Sequence, residues 1–142
     1  TSNLCLGSGL FDFERAREHG VRVGIGTDVG AGTSFSMLQT LGEAYKVLQL
    51  QRQNLSPERA FYLATLGGAR SLYLEDRIGS FARGCEADFV VLDPQATPLM
   101  ARRMERCATL AERLFVFMTL GDDRAVHATH VLGSPAHLRA KA

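Results

Sequence analysis

Long apolar runs, a strong net charge and paired cysteines are all missing from this sequence of 142 residues. Arg, Gly or Asp interrupts each apolar stretch well before the roughly 18 residues that a membrane span requires, so no membrane partner is expected. Sixteen basic residues stand against fifteen acidic ones. Because the Lys and Arg residues form no basic stripe along the sequence, nucleic acid is not an expected partner either. The three cysteines form no CxxC pair, which argues against a disulfide framework and favours a cytoplasmic location.

A targeting segment is also missing. No initiator Met, basic amino-terminal region or cleavage-site pattern opens the sequence, and Thr1-Ser2-Asn3-Leu4 is typical of the interior of a protein. We therefore expect the chain to be the C-terminal piece of something larger. The alternative is that its two halves form one small mixed sheet.

Strand and helix patterns alternate through the first 52 residues. Short apolar runs at 4–6 and 21–26 predict strands, while residues 11–19 and an apolar stripe over 37–48 predict helices. This βαβα order is the unit of a parallel sheet. Two strands leave their edges uncovered, and a complete (β/α)₈ barrel takes about 250 residues. The pattern therefore predicts an α/β fold that this chain alone does not complete.

The second half of the chain predicts helices and two separated strands. Ser56, Pro57 and Glu58 form a helix-start signal, with a capping hydroxyl, a proline at the first helical position and an early acidic residue. The apolar pattern predicts a short helix over 69–74, a buried strand over 87–93, a helix over 99–118 and a strand over 124–132. Neither strand has an obvious hairpin partner, and residues 134–142 are expected to fray.

The loop that follows the second predicted strand is the most informative place for chemistry. Asp28 ends that strand, where barrel and open-sheet enzymes carry their active residues, and a Gly-rich stretch follows over 30–34. Asp28 could ligate a metal, or it could simply hydrogen-bond to the loop amides. A phosphate cradle is a third interpretation, but the loop has no GK[ST] motif and its carboxylate would repel phosphate. His127 and His130 suggest a metal as well, yet their spacing on a predicted strand puts the two rings on opposite faces.

Most of the chain resembles the guanine deaminases of the amidohydrolase superfamily. The stretches TSNLCLGSGLF at 1–11 and GTDVGAGTSFSM at 26–37 are similar to that family in particular. Residues 64–93, with ATLGGA, DRIGS and GCEADFVVLD, are similar to amidohydrolases in general. The resemblance implies the C-terminal part of a (β/α)₈ TIM-like barrel together with part of a small composite β-sandwich domain. Residues 1–69 would hold the last two βα units and the following helix, and residues 70–142 the β domain with an inserted helix.

The resemblance also implies a reaction, the hydrolysis of guanine to xanthine and ammonia at one Zn²⁺ ion. Asp28 matches the metal ligand that follows the last barrel strand, and the other ligands would lie upstream of this chain. Asp28 would also orient the attacking water and take its proton. Thr33, Ser34 and Phe35 would line the mouth of the purine pocket. The family is commonly dimeric, so a homodimer is expected for the full-length protein, and the isolated piece is expected to be inactive.

Two alternatives remain open from the sequence. One is another amidohydrolase deaminase, acting on an adenosine-like or triazine substrate, which would share Asp28 and the 64–93 block but not the TSFSM loop. The other is a self-contained, non-catalytic α/β interaction module.

Overall fold

The computed structural model describes residues 2–140, so Thr1 of the predicted first segment and Lys141 and Ala142 of the second lie outside the described residues. Within residues 2–140, no helix is both long enough and apolar enough to cross a bilayer. The elements, in chain order, are α1 Ser2–Leu6, α2 Phe13–Glu18, α3 Met37–Leu50, α4 Pro57–Ala64, α5 Leu66–Ser71, β1 Phe89–Leu92, α6 Pro98–Met104, α7 Leu110–Leu120, β2 Val126–Val131 and β3 Ser134–Leu138.

Local capping signals decide where several helices begin. The Ser36 hydroxyl accepts a hydrogen bond from the Gln39 amide at the start of α3, and Ser56 does the same for Arg59 at the start of α4. Each bond satisfies an amide that has no partner within its own helix. The helix start predicted at Ser56 is therefore confirmed, with Pro57 as the first helical residue.

The core lies where α3, α4 and α7 pack together. Gly42 allows the close approach of α3 to α7, because a Cβ at this position would lie 2.6 Å from the Met118 carbonyl oxygen. A second buried cluster joins α3 and α7 to α6 around Met100, which is fully buried. The buried residues of the first cluster are Phe13, Leu41, Leu48, Leu55, Ala60, Leu63 and Met118.

The two strands predicted in the first segment do not form. Residues 4–6 belong to helix α1, and residues 21–26 form neither a helix nor a ladder. The Ile25 amide instead donates to the Leu63 carbonyl of α4 at 3.1 Å. A strand needs a hydrogen-bonded neighbour, and no neighbouring strand is found beside either segment in the described part of the chain. The parallel βαβα unit expected from the sequence is therefore not found within residues 2–140.

The second segment contains an antiparallel sheet of order β1-β2-β3. Val90 lies opposite Thr129, and Thr129 lies opposite His137. The prediction that residues 134–142 fray is wrong for residues 134–138, which form β3 and pair with β2 as a hairpin. The turn is Leu132-Gly133, both with positive φ (52° and 78°), which is the two-residue geometry that suits a hairpin.

Two further predictions in the second segment need correction. The predicted buried strand is only four residues long, and Val90 is 51% exposed. The predicted helix over 99–118 is two helices, because Thr109 starts α7 with a capping box. Its hydroxyl accepts from the Glu112 amide, and the Glu112 carboxylate accepts from the Thr109 amide. This reciprocal pair satisfies the new helix end and stabilises the break.

Candidate functional site

Asp28 lies in a tight loop that is closed by main-chain hydrogen bonds. Its backbone is in the left-handed region, with φ of 48°. The Asp28 carbonyl accepts from the Ala31 amide at 3.2 Å and from the Gly32 amide at 2.5 Å. Val29 and Gly32 also form an isolated parallel bridge. The loop therefore holds its shape through the main chain of Asp28.

The Asp28 side chain is consequently not used to build the loop. The interpretation that its carboxylate bonds to loop amides is not what the structure shows, since the amides of Ala31 and Gly32 donate to the carbonyl instead. The residue is exposed. Within residues 2–140, no group donates a hydrogen bond to this carboxylate. Both carboxylate oxygens are therefore available to a ligand from outside the described chain.

Gly32 is required by the shape of this loop. A Cβ at position 32 would lie 1.9 Å from the Thr27 carbonyl oxygen and 2.9 Å from the Asp28 carbonyl oxygen. Both atoms belong to the backbone, so neither can turn away like the end of a flexible side chain. By contrast, a Cβ at Gly26 would meet nothing within 4 Å.

The other predicted site residues follow directly after the loop. The Ser34 hydroxyl accepts from the Ser36 amide at 3.0 Å and donates to the Gln39 side chain, so Ser34 supports the start of α3. Thr33 is exposed, and Phe35 is 86% exposed. These side chains are thus presented at the surface of the described chain rather than packed in its core.

Thr33 and Ser34 line a cavity of about 520 Å³ between this loop, α3 and the end of α7. Neither Asp28 nor Phe35 lines this cavity, so the structure does not bring the four predicted residues into one pocket. Three charged residues that were not predicted as site residues line the same cavity: Glu43, Lys46 and Asp122. Nothing in the sequence indicated that these three residues share a cavity.

The residues present do not form a complete metal site. Across residues 2–140, there is no cluster of three or more His, Cys, Asp or Glu residues that could hold a metal ion. A zinc site takes three or four protein ligands, and Asp28 alone supplies one. His130 does not add to it, because its ring stacks on Phe89 in the sheet at a centroid distance of 4.4 Å.

Two carboxyl groups of the second segment, Asp93 and Asp122, have pKa values that guanidinium groups lower. The Arg139 guanidinium donates a hydrogen bond to Asp93 and, together with the Gln95 amide, holds the pKa of Asp93 below its ordinary value. The Arg124 guanidinium lowers the pKa of Asp122 in the same way. Asp93 precedes α6 and Arg139 follows β3, so the first pair ties the end of the chain to the sheet.

Replacing Arg139 should change how stability depends on pH. Because folding lowers the pKa of Asp93, its stabilising contribution is present above the unfolded-state pKa and is lost as pH falls through the lower, folded-state pKa. Arg139→Gln should raise the pKa of Asp93 and make the free energy of unfolding fall less between pH 7 and pH 3. Urea unfolding at both pH values and an NMR titration of the Asp93 carboxyl measure this. Arg83→Gln, at an exposed position, is the control; an unchanged Asp93 titration in Arg139→Gln would contradict the assignment.

The amidohydrolase family profile matches residues 1–135. The chain is 62% identical over 133 residues to the guanine deaminase of Escherichia coli K12. The aligned region covers 94% of this chain and 30% of that protein. The solved structure of E. coli guanine deaminase superposes with a TM-score of 0.95 at 59% identity, covering 99% of this chain and 33% of that one.

Two further solved structures are similar. A guanine deaminase from C. acetobutylicum with bound guanine has a TM-score of 0.78 at 30% identity, covering 95% of this chain and 32% of that one. An adenosine deaminase from Xanthomonas campestris with bound zinc has a TM-score of 0.80 at 27% identity, covering 96% of this chain and 30% of that one. The chain spans about a third of the length of these relatives.

Proposed function

The chain belongs to the amidohydrolase family, and from this membership we propose that it is the C-terminal part of a zinc-dependent guanine deaminase. The observation that carries this proposal is the 62% identity to the E. coli guanine deaminase over 133 residues. The reaction would hydrolyse the exocyclic C–N bond of guanine, and the products would be xanthine and ammonia. A self-contained interaction module is disfavoured, because the family match extends across residues 1–135.

Asp28 is the residue that we propose to take part in the chemistry. Its carboxylate makes no hydrogen bond within the described chain, and its position is held by the main chain of the loop. A bound zinc ion lowers the pKa of a coordinated water near neutrality. An Asp28 oxygen would orient that water and hold its proton. The remaining metal ligands would come from the part of the enzyme outside this sequence, since residues 2–140 contain no complete metal site.

Thr33, Ser34 and Phe35 are proposed to shape the entrance to the purine pocket. Phe35 supports this with an aromatic side chain that is 86% exposed in this chain and so free to contact a flat ligand. Ser34 would act through the loop, since its hydroxyl already bonds to Ser36 and Gln39. Thr33 has an exposed side chain and lies in the sequence between the Asp28 loop and Ser34.

The organisation of the full-length enzyme is also a proposal. Residues 1–69 would complete the last two units of the TIM-like barrel, and residues 70–142 would form part of the composite β-sandwich domain. The confinement of the antiparallel sheet to the second segment supports this division. We expect a homodimer in the cytoplasm that acts on a small-molecule purine.

The full-length protein should convert guanine to xanthine, while the 142-residue chain alone should give no xanthine above a blank without protein. The reason is that Asp28 is one ligand where zinc needs three or four. Ultraviolet absorbance follows the conversion, and adenosine and a triazine are assayed in parallel. Faster release of ammonia from either of them would favour the alternative deaminase. That alternative rests on the structural match to the X. campestris adenosine deaminase, at 27% identity.

A further inference from the structure

A second cavity lies away from the Asp28 loop, and its wall is strongly basic. It is an open cavity of about 390 Å³ between α2, residues 21–23, α4 and α5, and its arginine side chains are exposed. Neither Asp28 nor Thr33 lines it. One carboxylate, Glu75, lines it together with four arginines: Arg17, Arg22, Arg59 and Arg70.

Within residues 2–140, two of these arginines have carboxylate partners and two have none. Arg17 pairs with Glu14 at 2.7 Å, and Arg22 pairs with Glu75 at 3.3 Å. In the described part of the chain, no carboxylate forms a salt bridge with Arg59 or Arg70. The cavity therefore carries two positive charges that nothing within residues 2–140 balances.

Each of the two unpaired guanidinium groups lies over an aromatic ring. Arg59 lies over the Phe13 ring at 4.9 Å, and Arg70 lies over the Tyr62 ring at 5.9 Å. Arg70 also donates to the Tyr62 hydroxyl at 3.0 Å. Stacking fixes the plane of a guanidinium while leaving several of its N–H groups free to donate. A ligand would thus meet donors that are already oriented.

The backbone of α5 is tied to the same cluster. Arg22 donates to the Arg70 carbonyl at 3.1 Å and stacks on Tyr73 at 4.7 Å. This contact joins the segment before the Asp28 loop to the end of α5. The contact therefore holds the Arg22 guanidinium against the backbone of α5.

We propose that this cavity binds the phosphoryl group of a small phosphorylated metabolite. A phosphate dianion balances two guanidinium groups, and its oxygens accept paired N–H donors in the geometry that arginine presents. A single carboxylate would balance only one of them. The cavity volume is that of a small-molecule site, so it leaves room for the organic part of the ligand beside the phosphoryl group.

Calorimetric titration of the full-length protein with inorganic phosphate and with pyrophosphate, at low chloride, tests this assignment. We expect saturable binding of both anions and at least tenfold weaker binding by the Arg59→Gln/Arg70→Gln double variant. Arg102→Gln, at an exposed position of α6 that does not line the cavity, should bind as the unchanged protein does. Guanine turnover should be retained in the double variant, so failure of this site is distinguishable from failure of the proposed activity.

Absence of saturable binding by the unchanged protein would overturn the proposal. Undiminished binding by the double variant would overturn it too. Should the double variant not fold, Arg70→Lys keeps the charge but removes the paired donors. Weaker phosphate binding by that variant is expected, and unchanged binding would contradict the assignment.

Discussion

Asp28→Asn in the full-length enzyme should lower guanine turnover by about 10²–10⁴, which is the range for losing a positioned proton acceptor. This corresponds to roughly 3–5 kcal/mol of activation free energy. Asn preserves the size of the side chain and tolerates the left-handed backbone at this position, where φ is 48°. The loop should also persist, because the amides of Ala31 and Gly32 bond to the carbonyl of residue 28. The substitution therefore removes charge and basicity while leaving the local fold in place.

The decisive measurement is kcat for guanine together with the zinc content of the same sample. Zinc occupancy should fall less than turnover, because the other ligands of the proposed site remain. Asp76→Asn is the matched control, since it makes the same chemical change at an exposed position far along the chain. Near-normal turnover with full zinc occupancy in Asp28→Asn would remove Asp28 from the mechanism. It would also remove the strongest chemical link between this chain and a deaminase.

Gly32→Ala should lower turnover by about 10²-fold, although the new methyl group lies outside the chemistry. A Cβ at position 32 would lie 1.9 Å from the Thr27 carbonyl oxygen, so the turn must open. Opening the turn breaks the hydrogen bond that the Gly32 amide donates to the Asp28 carbonyl, and it moves the Asp28 side chain. A displacement of about 1 Å at a catalytic group is enough for a loss of this size.

Gly26→Ala is the control for this prediction, because a Cβ there meets nothing within 4 Å in the described chain and the substitution is chemically identical. Steady-state kinetics and thermal unfolding are measured for both variants. Gly32→Ala should lose turnover while the protein remains folded, since the change is confined to a surface loop. Activity within threefold of the unchanged enzyme would contradict the proposed link between the shape of the loop and the position of Asp28.

Helices that depend on local signals were predicted well from the sequence. The apolar stripe over 37–48 corresponds to α3, and the Ser56-Pro57 signal marks the start of α4. These features depend on residues three or four positions apart, which remain neighbours in any helix. The Asp28 loop could also be singled out from the sequence, because its glycines and its aspartate are contiguous.

Features that depend on distant partners were not predicted. Residues 4–6 have the composition of a strand but form α1, since no strand lies beside them within residues 2–140. Residues 134–138 were expected to fray but pair with β2, whose residues lie opposite them across a Leu132-Gly133 turn. That dipeptide lacks the Asn-Gly or Asp-Gly signal by which a hairpin is usually found in a sequence.

The sequence by itself determined the family resemblance, the positions of the well-capped helices and the loop on which the chemistry was sought. Only the tertiary structure decided that the Asp28 carboxylate is free while its carbonyl closes the loop. The tertiary structure also decided that Arg22, Arg59 and Arg70, which are up to 48 residues apart in the sequence, line one cavity. The physical reason is the range of the interactions: capping and helical periodicity act within a few residues, whereas strand pairing and side-chain clusters form only when distant segments pack together.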